Sequence, residues 1–106
     1  MPLSTQTKDQ ILALLAKVEV CSREENITGH EKIFAPDIVV FAPGLDHHGR
    51  DGLSFEPLKF GGMEVKGEGV IAWVSGECTY GGIAARLSAV LRGTGHAWEL
   101  VLLHIA

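Results

Sequence analysis

Val70-Ile-Ala-Trp-Val-Ser-Gly-Glu-Cys-Thr-Tyr80, Gly81-Gly82, Ile83-Ala-Ala-Arg-Leu-Ser-Ala-Val-Leu-Arg92, Gly93-Thr-Gly-His96 and Ala97-Trp-Glu-Leu-Val-Leu-Leu-His-Ile105 follow one another through the last third of the chain. The stretch reads as three long antiparallel strands joined by two tight turns. A two-residue Gly-Gly turn suits the primed hairpin types, because glycine accepts positive φ without a steric penalty. That turn fixes a register: Tyr80 opposite Ile83, Cys78 opposite Ala85, Glu77 opposite Arg86, Ser75 opposite Ser88 and Trp73 opposite Val90. Glu77 and Arg86 make a favourable cross-strand charge pair in this alignment.

Side chains alternate across a strand, so the register sorts them onto two faces. Ala72, Val74, Gly76, Cys78, Ala85, Leu87, Ala89 and Leu91 make a small, apolar face suited to lie under a helix. Trp73, Ser75, Glu77, Arg86, Ser88 and Val90 make the other. On the last strand Glu99, Val101, Leu103 and Ile105 are assigned to the apolar face. Trp98, Leu100, Leu102 and His104 then join Trp73 and Arg86. The Gly93-Thr94-Gly95 turn is too irregular to fix this from spacing alone, and a bulge would swap the sets.

Near the start of the sequence, Thr7-Lys-Asp-Gln10 has the form of a capping box. Ile11, Leu12, Leu14, Leu15 and Val18 follow with helical spacing, which predicts a helix to about Glu25. Asp9, Glu19 and Glu24 read as its solvated side. Thr28-Gly-His-Glu31 is a second capping-box pattern, opening a short helix that ends at Phe34 before Ala35-Pro36. Asp37-Ile-Val-Val-Phe-Ala42 is rich in β-branched residues and reads as a strand ended by Pro43-Gly44. Leu45 to Gly52 is polar and glycine-punctuated, a loop or ragged hairpin. Pro57 argues against a central strand over Leu53 to Phe60, leaving an edge segment or loose crossing. Met63 to Gly69 is a strand end and turn.

With 106 residues the chain is expected to form one domain, residues 1–106. Its net charge of −4 and lack of any Lys/Arg run argue against nucleic acid or an anionic membrane as partner. The apolar segment Ile11 to Val20 carries Lys17 and Glu19 and is too short to span a bilayer, so a soluble, cytoplasmic protein is expected. Cys21 and Cys78 are far apart and read as reduced, buried thiols. No metal-ligand spacing appears, and neither metal nor cofactor is expected; a three-His set would need His30 or His104 to converge on the Asp46 cluster.

Asp46, His47 and His48 are the acid–base candidates by type, since a carboxylate can orient an imidazole that titrates near neutral pH. Tyr80 could donate to a ligand carbonyl, Cys78 could act as a nucleophile and Glu99 as a buried base. Trp73, Arg86, Val90, Trp98, Leu100, Leu102 and His104 read as a dimer interface, because Trp and Arg are enriched in interface cores.

Ile33-Phe-Ala-Pro-Asp-Ile-Val-Val-Phe41, Gly69-Val-Ile-Ala-Trp-Val-Ser-Gly76 and Arg86-Leu-Ser-Ala-Val-Leu-Arg92 with Trp98-Glu-Leu-Val-Leu-Leu-His104 together resemble the SnoaL-like and ketosteroid-isomerase-like branch of the nuclear transport factor two-like superfamily. The resemblance covers roughly residues 8 to 106. It implies an α+β, cystatin-like cone: a curved, mixed and mostly antiparallel sheet wrapped around N-terminal helices, with a pocket between them. It also implies homodimers that pair through the outer sheet face.

The steroid isomerases of this group place a general-base Asp directly before the Pro that ends the first strand. Here that position is Ala42, which cannot abstract a proton. The related kinase association domains carry pocket arginines at positions matching Ser75, Ala89 and Ile105. The expected function is therefore a small-molecule binding protein, or a small enzyme with isomerase-, cyclase- or dehydratase-like acid–base chemistry and no metal. Phe34, Phe41, Val74, Cys78, Tyr80, Leu87, Glu99, Val101 and Leu103 would line its pocket around a small, mostly apolar molecule. Asp46 and His48 would stand at the mouth as catalytic groups. The alternative is a non-catalytic homodimerisation module whose pocket is filled by its own side chains.

Overall fold

In the computed structural model, which describes residues 3–23, 31–54, 56–95 and 97–106, one helix, α1 (Thr5–Arg23), packs on a six-stranded sheet. The strands are β1 (Phe34–Ala42), β2 (Leu45–His48), β3 (Leu58–Glu68), β4 (Ile71–Tyr80), β5 (Ile83–Gly93) and β6 (Trp98–Ile105). Their order across the sheet is β2-β1-β6-β5-β4-β3. Among the described residues β1 and β6 run parallel and the other neighbours antiparallel. The α+β, mostly antiparallel arrangement is the one expected.

Helix α1 starts earlier than the Thr7 capping box suggests. Ser4 Oγ accepts the Thr7 amide at 3.1 Å, so Ser4 is the cap. Ile11, Leu14, Leu15, Val18 and Cys21 form the buried stripe, spaced three and four apart. Leu12 falls off that stripe and is exposed. The expected continuation to Glu25 and the Thr28 capping box lie outside the described residues, as do Glu24 and His30. Beyond them a 3-10 turn, Glu31–Ile33, leads into β1.

Phe34 opens a strand rather than ending a helix, and Pro36 sits inside it. The proline is tolerated because the β1–β6 register shifts between Phe34 and Val39, so no ladder bond is needed from it. Its carbonyl instead accepts the Arg50 amide at 3.2 Å. The Leu45 segment is a true hairpin strand, with His48 opposite Val39 and Asp46 opposite Phe41.

The β4–β5 hairpin has the expected register from Tyr80–Ile83 to Trp73–Val90. Gly81 and Gly82 take φ of 58° and 84°, the values a primed two-residue turn requires. Glu77 and Arg86 stand opposite each other as expected, but they close no ion pair. On β3 the register shifts between Phe60 and Met63. There Gly76 lets the β3 backbone come close: a Cβ on it would strike the Gly62 carbonyl and the Met63 backbone.

β6 carries a bulge. Leu91 pairs with Leu100, but Val90 pairs with Leu102, so Val101 is an extra residue. The bulge flips everything on its N-terminal side. Trp98 and Leu100, expected on the outer face, turn inward: Leu100 is fully buried and Trp98 packs against the core. Glu99, expected inside, stands opposite Arg92 on the outer face. C-terminal to the bulge the assignment holds, with Leu103 and Ile105 inside.

Candidate functional site

The inner sheet face and α1 enclose a continuous core. Phe34, Val74, Cys78, Leu87 and Leu103, all expected to line a pocket, are buried there beside Ile11, Leu14, Leu15 and Val18. Tyr80 is buried too, with its hydroxyl accepting the Glu56 amide at 3.2 Å. Val101, at the bulge, is half-buried and packs against the same core. These side chains and the helix stripe belong to one buried cluster. Burial pushes the Cys78 thiol above its ordinary range, which suppresses the thiolate a nucleophile needs.

The helix also ties down the β3 edge. Ser22 Oγ accepts the Leu58 amide at 2.8 Å while donating to the Glu19 carbonyl at 2.6 Å. Glu19 Oε1 accepts the Phe60 amide at 2.6 Å. Glu19 is thus a docking group and not a solvated charge, as its helical spacing alone suggests. Both bonds cap backbone donors that an edge strand otherwise leaves open.

The outer face carries the polar and aromatic side chains. Pairing registers arrange them in two unbroken rows across all six strands. One row is Lys66, Trp73, Val90, Leu102, Val39 and His48. The next is Glu64, Ser75, Ser88, His104, Phe41 and Asp46. The rows are continuous because the register shifts of β1, β3 and β5–β6 all fall outside them. Trp73 is 44% exposed, Ile71 41% and Phe41 38%, high values for large apolar groups. Val39, Val90 and Leu102, half-buried, fill the space between.

Phe41 is therefore on the outer face and does not line an interior pocket. Its ring stands T-shaped to those of His48 and His104, at 6.0 Å and 6.3 Å between centroids. The strand it occupies alternates Ile38 and Val40 with Val39 and Phe41, all apolar, so either set could face in. Its pairing with β6 decides the matter: Val40 lies beside buried Leu103, and Phe41 beside His104. Val39 and Ile71, which complete the apolar patch, carry no sequence signal beyond this alternation.

Charges rim the patch. On the β3 edge Lys66 Nζ pairs with Glu64 Oε1 at 3.2 Å. On the β2 edge His48 Nε2 meets Asp46 Oδ1 at 3.0 Å. Asp46 and His48 come together as their types suggest, but in solvent on the outer face and not at a pocket mouth. His47 points elsewhere, toward the Asp51 carbonyl at 3.0 Å. Arg92 bonds Glu99 at 2.7 Å and Asp37 at 3.3 Å. The Glu99 hydrogen bond, with the Asp37 charge behind it, holds this guanidinium above even its usual high range. Among the described residues no three His, Cys, Asp or Glu side chains come together as a metal set, and no helix is long and apolar enough to cross a membrane.

An open depression of about 710 Å³ lies at the other end of the sheet, lined in part by Lys59, Phe60, Glu77, Cys78, Ala85 and Arg86. A smaller one of about 320 Å³ lies between α1 and β6, against Leu14, Ile33 and Trp98.

No family model matches the chain, and no curated protein matches it by sequence. Solved structures do match its fold. A cystatin-like fold protein from Burkholderia xenovorans LB400 is 20% identical with a TM-score of 0.78, over 99% of this chain and 94% of that one. A nuclear transport factor two-like protein of unknown function from Pseudomonas putida KT2440 is 21% identical with a TM-score of 0.73, over 98% and 88%. The CamKII hub homology domain of Chlamydomonas reinhardtii is 17% identical with a TM-score of 0.72, over 93% and 96%. The chain thus shares the fold of these cystatin-like and nuclear transport factor two-like structures, a helix packed on a curved six-stranded mixed sheet.

Proposed function

We propose that this chain is a self-association module, forming a homodimer through its outer sheet face, with the space between helix and sheet filled by its own side chains. The observation that carries the reading is the open patch of Trp73, Val90, Leu102, Val39, Phe41 and Ile71, continuous across the sheet and rimmed by charge. Contiguous exposed apolar surface edged by polar groups marks an interaction site. Arg86, His104 and Leu102 belong to this surface; Trp98 and Leu100 do not. Two neighbouring facts point the same way. Phe34, Val74, Leu87 and Leu103, expected to line an interior ligand site, are buried in the core, and one chain of the same fold is described as a hub domain.

Sedimentation at neutral pH tests the reading. The wild type is expected at twice its chain mass, and Trp73→Glu at the monomer mass with an unchanged far-ultraviolet spectrum. A wild type that sediments as a monomer at high micromolar concentration would overturn it.

The depression beside Cys78 favours a second reading, a site for a small, mostly apolar molecule. It combines Phe60, Ala84 and Ala85 with the cations of Lys59 and Arg86, an apolar body and a polar rim. A compound bound there at a hundred times its Kd raises stability by about 2.7 kcal/mol. A thermal-shift series of apolar carboxylates that leaves the melting temperature unmoved removes this reading.

A further inference from the structure

The bulge at Val101 turns Trp98 to the helix side of the sheet, where its ring borders open space. The depression of about 320 Å³ between α1 and β6 lies against it. A second, of about 340 Å³, lies against it toward Gly69 and Val70. Both are bordered by Gln10 as well as Trp98, so they adjoin at that pair. Each is as large as the smaller sites that hold small molecules, which start at about 300 Å³.

The helix wall explains why the space is there. Gln10, Ala13, Leu14 and Lys17 border the first depression and follow at i, i+3, i+4 and i+7, so they share one side of α1. Leu14 is buried and makes the apolar floor. Ala13 is exposed and puts only a methyl group between Gln10 and Lys17. The Trp98 ring is fixed from the strand side: a Cβ on Gly93, its partner on β5, would stand 3.7 Å from Cη2 and Cζ2.

The polar groups around this space are donors. Among the described residues the Trp98 indole N–H, the Gln10 amide and the Lys17 ammonium have no hydrogen-bond or ion-pair partner, and no carboxylate borders either depression. Three and four positions from Lys17 on α1 stand Ala13, Leu14, Val20 and Cys21, so its own helix brings it no acid. Asp9 is about 12 Å away along the axis. Glu99, next to Trp98, is on the other face with Arg92. Glu31 and Glu68 have interactions of their own. Lys17 borders the first depression alone, whereas Trp98 and Gln10 border both. The aromatic wall and the cation thus sit at different ends of the cleft.

We propose that this cleft binds an aromatic carboxylate whose ring and acid group are joined by a short aliphatic linker. The ring packs on Trp98 over Ala13, in the offset or edge-to-face geometry that aromatic pairs favour, and the carboxylate meets Lys17 Nζ. The proposal uses no residue of the self-association face and none of the depression beside Cys78, so it stands or falls separately from both.

The test is a fluorescence titration of the full chain carrying Trp73→Phe, in which Trp98 is the one remaining indole. The probes are 3-phenylpropionate, butyrate (the acid without the ring) and 3-phenylpropanamide (the ring without the charge). 3-Phenylpropionate is expected to shift the Trp98 emission saturably, with a Kd at least about fivefold below those of the other two, the size of a partly exposed ion pair. Lys17→Met should raise that Kd about fivefold and leave the amide's unchanged. Ala13→Leu, which suits a helix, should abolish the shift while the far-ultraviolet spectrum stays the same. Lys59→Met, in the other depression, should change nothing. The proposal is overturned by the absence of a saturable shift, by equal binding of butyrate or the amide, by a Kd that Lys17→Met does not move, or by a loss on Lys59→Met. Should Ala13→Leu disturb the fold, Lys17→Met and the three probes still decide.

Discussion

The Cys78 thiol is 5% exposed on the inner face, between Val74 and Tyr80 on its own strand. Burial raises its pKa, so the folded chain holds this proton to a higher pH than the unfolded chain does. Between the ordinary thiol pKa, about 8.5, and the raised one, the unfolded state binds fewer protons, and stability falls as pH rises. The urea midpoint is therefore expected to drop above about pH 8.5, and Cys78→Ala should flatten that drop. Equal slopes for the two proteins would show that the thiol is not the group involved. Its core role was readable from the sequence, because nothing near it in the chain could favour a thiolate. Phe41 was not readable in this way. Four apolar residues in a row, Ile38 to Phe41, leave the choice of inner face to the partner strand.

At the scale of elements, the β4–β5 hairpin was legible down to its register because a Gly-Gly turn has no slack. The β5–β6 connection has slack twice, in the Gly93 to Ala97 turn and at Val101, and one inserted residue reverses a face. The chemistry of Trp98 and Glu99 therefore lay beyond what spacing could assign, while Leu103 and Ile105 past the bulge were assigned correctly. The α1–β3 junction was also invisible, because its bonds join residues 36 and 41 positions apart. Ser22, 1% exposed, is the buried polar member of that junction. Ser22→Ala leaves the Leu58 amide without its acceptor in a dry place, which costs about 1–3 kcal/mol. Urea unfolding should register that loss; a change within about 0.3 kcal/mol would mean that water replaces the hydroxyl.

For the whole molecule, the fold was legible because it rests on element order and face polarity, which the sequence carries directly. Whether helix and sheet leave a hollow was not, since that depends on how Phe34, Leu87, Leu103 and the α1 stripe share volume in three dimensions. The same side chains could floor a pocket or fill it; what the packing gives is their burial in one cluster with the α1 stripe. The candidate surface lay half in view: Trp73, Arg86, Val90, Leu102 and His104 were found by alternation, and Val39, Phe41 and Ile71 only by pairing. The position of β6 between β1 and β5 has a consequence for how the chain acquires this shape. β6 is a central strand, far in sequence from its neighbour β1. Before Trp98–Ile105 is in place, the β1–β2 hairpin and the β3–β4–β5 meander are separate pieces with no direct pairing between them. Such pieces join only through contacts distant in sequence, and closing them is slow. β6 thus joins the two pieces, and without it β1 and β5 each present an unprotected strand edge.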